Sequence, residues 1–170
     1  MNPLLGNVIG GLQARMVDCM LIFAPHLNSY RRFMPGSYAP MVAAWGYDNR
    51  GAALRVPETQ GKGARVERRV AGADANPYLL AAAVLAAALD GIKRGAEPGE
   101  PVAAEAAGGD GAPLPLSWAM AEQVFSESDF VAGWLGAEFR HVFAAMKRQE
   151  RATLLAQVTD AEYAAYLRTV

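Results

Sequence analysis

The segment from Pro77 to Arg94 constrains the fold more than any other part of the chain. Asp74-Ala75-Asn76-Pro77 supplies helix-cap and first-turn proline signals, and Leu79 through Leu89 is apolar on nearly every side of the helix that follows. A helix with no wide polar face has to be covered, and the strands read just before it are the natural surface. It cannot serve as a membrane span, because Ala81 to Leu89 is only about half the necessary length and Asp90 and Lys93 close it.

The strands are short. Ala43–Tyr47, a turn at Asp48-Asn49-Arg50-Gly51 and Ala52–Val56 read as a β-hairpin, and Pro57–Gly63 connects it to a third strand at Arg65–Val70. This predicts an antiparallel meander. Upstream, Val8, Leu12, Met16 and Met20 give Val8–Leu21 helical spacing, ended by Ala24-Pro25. Asn28-Ser29 then caps a short turn through Phe33, and Pro35–Pro40 is a loop. Residues 95–115, rich in Gly, Ala, Pro and Glu, read as a flexible connector. Helices are expected at about 117–126, 128–134, 136–157 and 160–167, the last beginning at Thr159-Asp160. The fold class is therefore α+β: about three antiparallel strands backed by helices, then an all-helical C-terminal region.

Several functions are disfavoured early. A net charge of -1 gives no bulk electrostatic case for nucleic acid or an acidic membrane. No basic, apolar leader opens the chain, and Cys19 is its single cysteine, in keeping with a cytoplasmic location. His26 and His141 lack the spacing of a zinc site, and Gly10-Gly11 lacks the spacing and lysine of a phosphate loop.

What remains is arginine. Arg31, Arg32, Arg50, Arg55, Arg65, Arg68 and Arg69 all fall in the strand-forming segment. In the third strand, period two places Arg65, Glu67 and Arg69 on one face, with Val66 and Val70 on the other. Such a row is a solvated surface or a site in which arginine grips phosphate or carboxylate and Glu67 meets a hard cation. ATP with a dicarboxylate fits it, and so does phosphate alone.

Six blocks in order carry a family resemblance: Asn28-Ser29-Tyr30-Arg31-Arg32-Phe33-Met34-Pro35-Gly36, Ala39-Pro40, Asn49-Arg50, Arg55-Val56-Pro57, Arg65-Val66-Glu67-Arg68-Arg69 and Ala75-Asn76-Pro77-Tyr78. Together they resemble the C-terminal part of the catalytic domain of glutamine synthetase, over nearly the whole of residues 1–170. Phe23-Ala24-Pro25, Trp45-Gly46 and Val70–Asp74 are most similar to the branch containing γ-glutamylpolyamine synthetases. The resemblance implies that Arg32 and Arg69 bind glutamate. It implies that Arg50, Arg55 and Arg65 lie near the ATP phosphates and the transferred phosphoryl group, with Arg50 and Tyr38 as catalytic candidates, and that Glu67 is a ligand of Mg²⁺ (or Mn²⁺). The reaction it implies is phosphorylation of the γ-carboxylate of glutamate by ATP, then displacement of phosphate by an amine.

Two departures qualify this. Ammonia-using members carry a glutamate just before the Ala-Pro pair, where this chain has Tyr38. A phenol titrating near 10 is a poor base at neutral pH, so Tyr38 becomes the aromatic wall of a site for a larger amine or polyamine. The upstream β-grasp domain and most metal ligands of the family are also not matched, which predicts a truncated chain, inactive alone, that associates with the missing part of the catalytic domain or forms a homo-oligomer. The alternatives are a non-catalytic remnant that joins a full-length ligase ring, and a phosphate- or dicarboxylate-binding protein without chemistry.

Overall fold

A computed structural model describes residues 1–58, 61–103 and 111–169. Helix α1 (Pro3–Ala14) starts where the Asn2 side chain accepts the Leu4 N–H, with Pro3 in the first turn. The single helix expected over Val8–Leu21 is interrupted: residues 15–19 form turns, and α2 (Met20–Phe23) is one further turn. Cys19 through Ala24 are all buried, and six consecutive buried residues cannot share one face of a surface helix. The break turns the chain into the core instead. A 3₁₀ turn, Leu27–Arg32, follows, with the His26 N–H donated to the Ser29 hydroxyl.

Strands β1 (Trp45–Tyr47), β2 (Leu54–Glu58) and β3 (Arg65–Arg68) form one sheet in that order. The α+β class holds, but the meander does not, because the sheet is mixed. β1 and β2 run parallel, with Trp45 opposite Leu54 and Tyr47 opposite Val56, while β2 and β3 are antiparallel, with Arg55 opposite Glu67. A tight hairpin turn of the favoured type needs positive φ at both central residues. In this segment only Asp48 has it, at 48°. Asn49 is buried, accepts the Gly51 N–H at 2.7 Å and donates to the Ala103 carbonyl at 2.7 Å. That anchor draws the loop inward, and β2 leaves it in the direction of β1.

Helix α3 (Pro77–Arg94) matches its expected limits, capped by the Asn76 side chain on the N–H groups of Tyr78 and Leu79 and ended by Gly95 at φ 59°. Its partners differ from expectation: it packs chiefly on α1, with α2 and α5, rather than on the sheet. The reason is a stripe of small residues, Ala83, Ala87 and Gly91, that admits the α1 backbone at Gly11. The larger Leu85, Leu89 and Ile92 are left exposed on other sides. Asp90 locks the pair: Arg15 Nε donates to it at 2.7 Å and Arg94 Nε at 2.9 Å.

The C-terminal region is helical as expected: α4 (Trp118–Glu127), α5 (Asp129–Leu135), α6 (Ala137–Leu155) and α7 (Asp160–Tyr166). Phe125, Phe139 and Phe143 make mutual ring contacts that join α4 to α6, and Thr159 forms a capping box with Glu162 at the start of α7. Of the connector expected over 95–115, residues 104–110 lie outside the described residues. The rest is hydrogen-bonded to the sheet side: Trp45 Nε1 donates to the Gly99 carbonyl, and the Val102 and Leu114 N–H groups donate to Trp45 and Met41. No helix among the described residues is long and apolar enough to cross a membrane.

Candidate functional site

The register of β2 against β3 decides which charges meet. Arg55 and Glu67 are cross-strand partners, so their side chains share a face, and Arg65 lies two residues before Glu67 on that face. Arg55 Nη1 donates to Glu67 Oε2 at 2.6 Å, and Arg65 Nε donates to Glu67 Oε1 at 2.9 Å. The other edge of the Arg55 guanidinium is held by Asp48, with Nε at 3.0 Å. The hydrogen bond from Arg55, seconded by that from Arg65, holds the Glu67 carboxyl below the usual carboxylate range. Asp48–Arg55–Glu67–Arg65 is thus a continuous chain of alternating charge along one face of the sheet.

A second group forms where β3 ends. The Arg69 N–H donates to the Ala53 carbonyl at 2.9 Å, and the next residue, Val70, is fully buried. Arg32, from the 3₁₀ turn, reaches across to donate through Nη2 to the Val70 carbonyl, its guanidinium stacked 4.4 Å over Phe33. Burial draws the Arg32 guanidinium below its ordinary value, and nearby Asp74 partly restores it. Asp74 accepts a 2.5 Å hydrogen bond from the Ser29 hydroxyl. Arg32, Ser29 and Asp74 line one open cavity of about 470 Å³, with Gly72 at its wall.

This second group carries donors without acceptors. Arg32 Nε, Arg69 Nη1 and the Tyr30 hydroxyl are buried and have no hydrogen-bond partner among the described residues, nor have Nη1 and Nη2 of Arg68. Arg68 points to the opposite face from Glu67, 3.0 Å over the Phe23 ring, and burial pushes its guanidinium down to about 9. An unmet buried donor costs about 1–3 kcal/mol, so the end of β3 favours an anion while the middle of the strand has its charges balanced.

The sequence-derived residues therefore fall into two groups and two outliers. Arg55, Arg65 and Glu67 are in contact, and Arg32 is drawn to the stretch immediately after Arg69. Tyr38, 80 % exposed at the tip of its loop, and Arg50, exposed in the turn after β1, have no described contact with either group. Sequence reasoning missed Asp48, Ser29 and Asp74. Asp74 was legible only as part of a cap signal, and the cap proves to be Asn76. Asp48 had no signal beyond turn composition.

The divalent cation implied for Glu67 does not fit these residues alone. Both carboxylate oxygens accept from guanidinium groups, and no group of three or more His, Cys, Asp or Glu able to hold a metal occurs among the described residues.

Comparison with known proteins gives this geometry a context. The family model "Glutamine synthetase, catalytic domain" matches residues 1–166. Gamma-glutamylputrescine synthetase PuuA of Escherichia coli K12 is 40 % identical over 161 residues, which are 95 % of this chain and 34 % of that protein. Gamma-glutamylethanolamide synthetase GlnA4 of Streptomyces coelicolor is 38 % identical over 162 residues, covering 95 % and 35 %. The structure of GmaS without ligand superposes with a TM-score of 0.84 at 31 % identity, over 99 % of this chain and 39 % of that one. The chain thus spans about a third of the length of the curated relatives it matches.

Proposed function

Because the chain belongs to the glutamine synthetase family, matching its catalytic domain over residues 1–166, we propose that it supplies the arginine wall of a site where ATP drives amide formation between the γ-carboxylate of glutamate and an amine. A family that generally uses ATP and divalent metals makes this the natural chemistry for the wall. The observation that carries the reading is the pair of buried, unpartnered donors Arg32 Nε and Arg69 Nη1, with Arg32 on the wall of an open cavity.

In this reading Arg32 and Arg69 bind the carboxylates of glutamate. Arg55 and Arg65 face the phosphates, where guanidinium groups offset the charge of a phosphoryl group in transfer. The γ-carboxylate oxygen attacks the terminal phosphorus and ADP leaves. The amine nitrogen then attacks the acyl carbon, phosphate leaves, and the nitrogen gives up its proton. Arg50, exposed in the turn after β1, faces the transferred phosphoryl group, and Tyr38, exposed on its loop, selects a larger amine over ammonia. PuuA and GlnA4 are named for γ-glutamyl products of amines larger than ammonia, which agrees with that choice. No step is assigned to a metal, since no group of three or more His, Cys, Asp or Glu able to hold one occurs among the described residues.

The second reading, a non-catalytic module that associates with a ligase ring, is favoured by one observation: Glu67 is fully engaged by Arg55 and Arg65. A chimera separates the two. Residues 1–166 replace the matching third of PuuA, and ADP release is measured with glutamate and putrescine or ammonia. The proposal expects turnover with putrescine preferred, and a loss of kcat/KM of about 10²-fold or more for Arg32→Met. A folded, assembled chimera without turnover overturns the ligase reading, and ammonia preferred over putrescine overturns the role given to Tyr38. The 170-residue chain alone is expected to give no γ-glutamyl transfer.

A further inference from the structure

Between α2, the start of α3 and α6 lies a cleft of about 510 Å³, within the usual size of a small-molecule site. Ile22, Leu79, Phe143 and Met146 form its apolar wall, and His26 and Asn76 line it as well. Two opposite charges line the same cleft, Lys147 and Asp74. Lys147 is only 5 % exposed, which is rare for a lysine and costly unless its ammonium is served. It donates once, to Glu150 Oε2 at 2.8 Å, and an ammonium has three N–H groups. No second hydrogen bond to it occurs among the described residues. The other Glu150 oxygen is taken by His26 Nδ1 at 3.2 Å, so Glu150 has little left to offer a ligand.

Asp74, an exposed carboxylate, carries the opposite charge. Its Oδ2 accepts from Ser29, while Oδ1 accepts from nothing among the described residues. Oδ1 lies so close to Gly72 that a Cβ there would sit 2.1 Å from it, which ties the carboxylate position to the glycine. A simple anion in the cleft would meet the carboxylate of Asp74, and a simple amine would meet the ammonium of Lys147. A molecule carrying both charges meets neither repulsion.

We propose that this cleft binds a small zwitterion with a branched apolar side chain, an aliphatic α-amino acid, its carboxylate on Lys147, its ammonium on Asp74 and its side chain among Ile22, Leu79, Phe143 and Met146. The cleft is distinct from the Arg32 cavity but shares Asp74 with it. An occupant therefore fixes the carboxylate nearest to Arg32.

Isothermal titration of the whole chain with L-leucine tests this, alongside 4-methylpentanoate, which lacks the ammonium, and 3-methylbutylamine, which lacks the carboxylate. Saturable leucine binding is expected, with each analogue at least about 10-fold weaker, the loss of one charge-assisted contact. Lys147→Met should weaken leucine by a similar factor and leave 3-methylbutylamine unchanged, and Asp74→Asn should weaken leucine without changing 4-methylpentanoate. Arg32→Met, which removes a cation beside Asp74, should leave leucine binding as strong or stronger, which separates this cleft from the arginine wall. No saturable leucine binding, analogues that bind as well as leucine, or loss of leucine binding in Arg32→Met each overturns the proposal. The analogue series on the unmutated chain decides the matter even where Lys147→Met fails to fold.

Discussion

Replacing Gly11 by alanine sets two effects of opposite sign against each other. Gly11 lies inside α1, and alanine there gains about 1 kcal/mol of intrinsic helix stability. Its added Cβ would, however, stand 2.3 Å from the Ala87 carbonyl oxygen and 2.6 Å from the Gly91 Cα. Both obstacles are backbone atoms, so no rotamer change relieves them, and the two helices must separate by about 1 Å to restore contact distance. Overpacking costs about 1–3 kcal/mol where side chains can adjust, and a backbone clash belongs at the upper end. Sterics win, with a net loss of about 2 kcal/mol, or roughly 4–8 °C in Tm for a chain of this size. Gly91→Ala meets the Asn7 carbonyl at 2.2 Å and should behave alike. Gly133, inside α5, is the control: nothing lies within 4 Å of its Cβ position, so alanine should stabilise by about 0.4–1 kcal/mol. Urea unfolding of the three variants, followed by far-UV circular dichroism, reads these signs directly. The double variant Gly11→Ala/Gly91→Ala should cost less than the sum, because one separation relieves both clashes. A Gly11→Ala chain as stable as Gly133→Ala would refute the close α1–α3 crossing.

Asp90→Asn should lose about 1.5–3 kcal/mol at pH 7, since Asp90 is buried and bonded to two guanidinium groups. Burial raises the Asp90 carboxyl, but the hydrogen bonds from Arg15 and Arg94 outweigh it and hold the pKa low; the stabilisation is therefore complete above the unfolded value, near 3.9, and is lost as pH falls through the lower folded value. A difference between wild type and Asp90→Asn that stays flat from pH 7 to 2 contradicts this. Glu67→Gln should release Arg55 and Arg65 with only a small change in the unfolding midpoint, because the pair is open to solvent, and the Nε–H signals of both arginines in ¹⁵N spectra should move toward free values. Arg68→Met should stabilise by about 1 kcal/mol or more: the stacking on Phe23 is worth about 2 kcal/mol at best, while an unpaired buried charge costs several. A destabilised Arg68→Met chain would mean that its Nη atoms have an acceptor in solution.

What was legible in the sequence depended on how local its cause was. The limits of α3 rest on Asn76, Pro77 and Gly95, all at its own ends, and they were read correctly. Its packing partner was not, because the meaning of Ala83, Ala87 and Gly91 depends on Gly11, remote in sequence. The direction of β2 likewise depends on Asn49 bonding to Ala103, 54 residues away, which turn composition cannot express. The alternation of Arg65 and Glu67 was visible from period two alone. That Glu67 is claimed by Arg55 was not, since cross-strand register is a tertiary fact.

The adjacent arginines at the end of β3 show how far unmet hydrogen bonding can be pressed as evidence for a ligand. Arg68 and Arg69 both carry buried nitrogens without acceptors, yet their surroundings differ. Arg68 lies among core groups, over Phe23 and beside the buried thiol of Cys19, so anything that served it would have to enter the core. Arg69 sits one residue on, next to Val70, where Arg32 is anchored at the wall of an open cavity. An anion arriving from solvent can reach Arg32 through that cavity without unpacking Arg68. The argument therefore yields opposite expectations for the two neighbours. Glutamate, or a dicarboxylate of its length, should raise the Tm of the unmodified chain and of Arg68→Met by similar amounts, and should lose that effect in Arg32→Met and Arg69→Met. Equal loss in all three variants would show that these orphaned donors report only a strained core, and the arginine wall would then have no claim as a binding site in this chain.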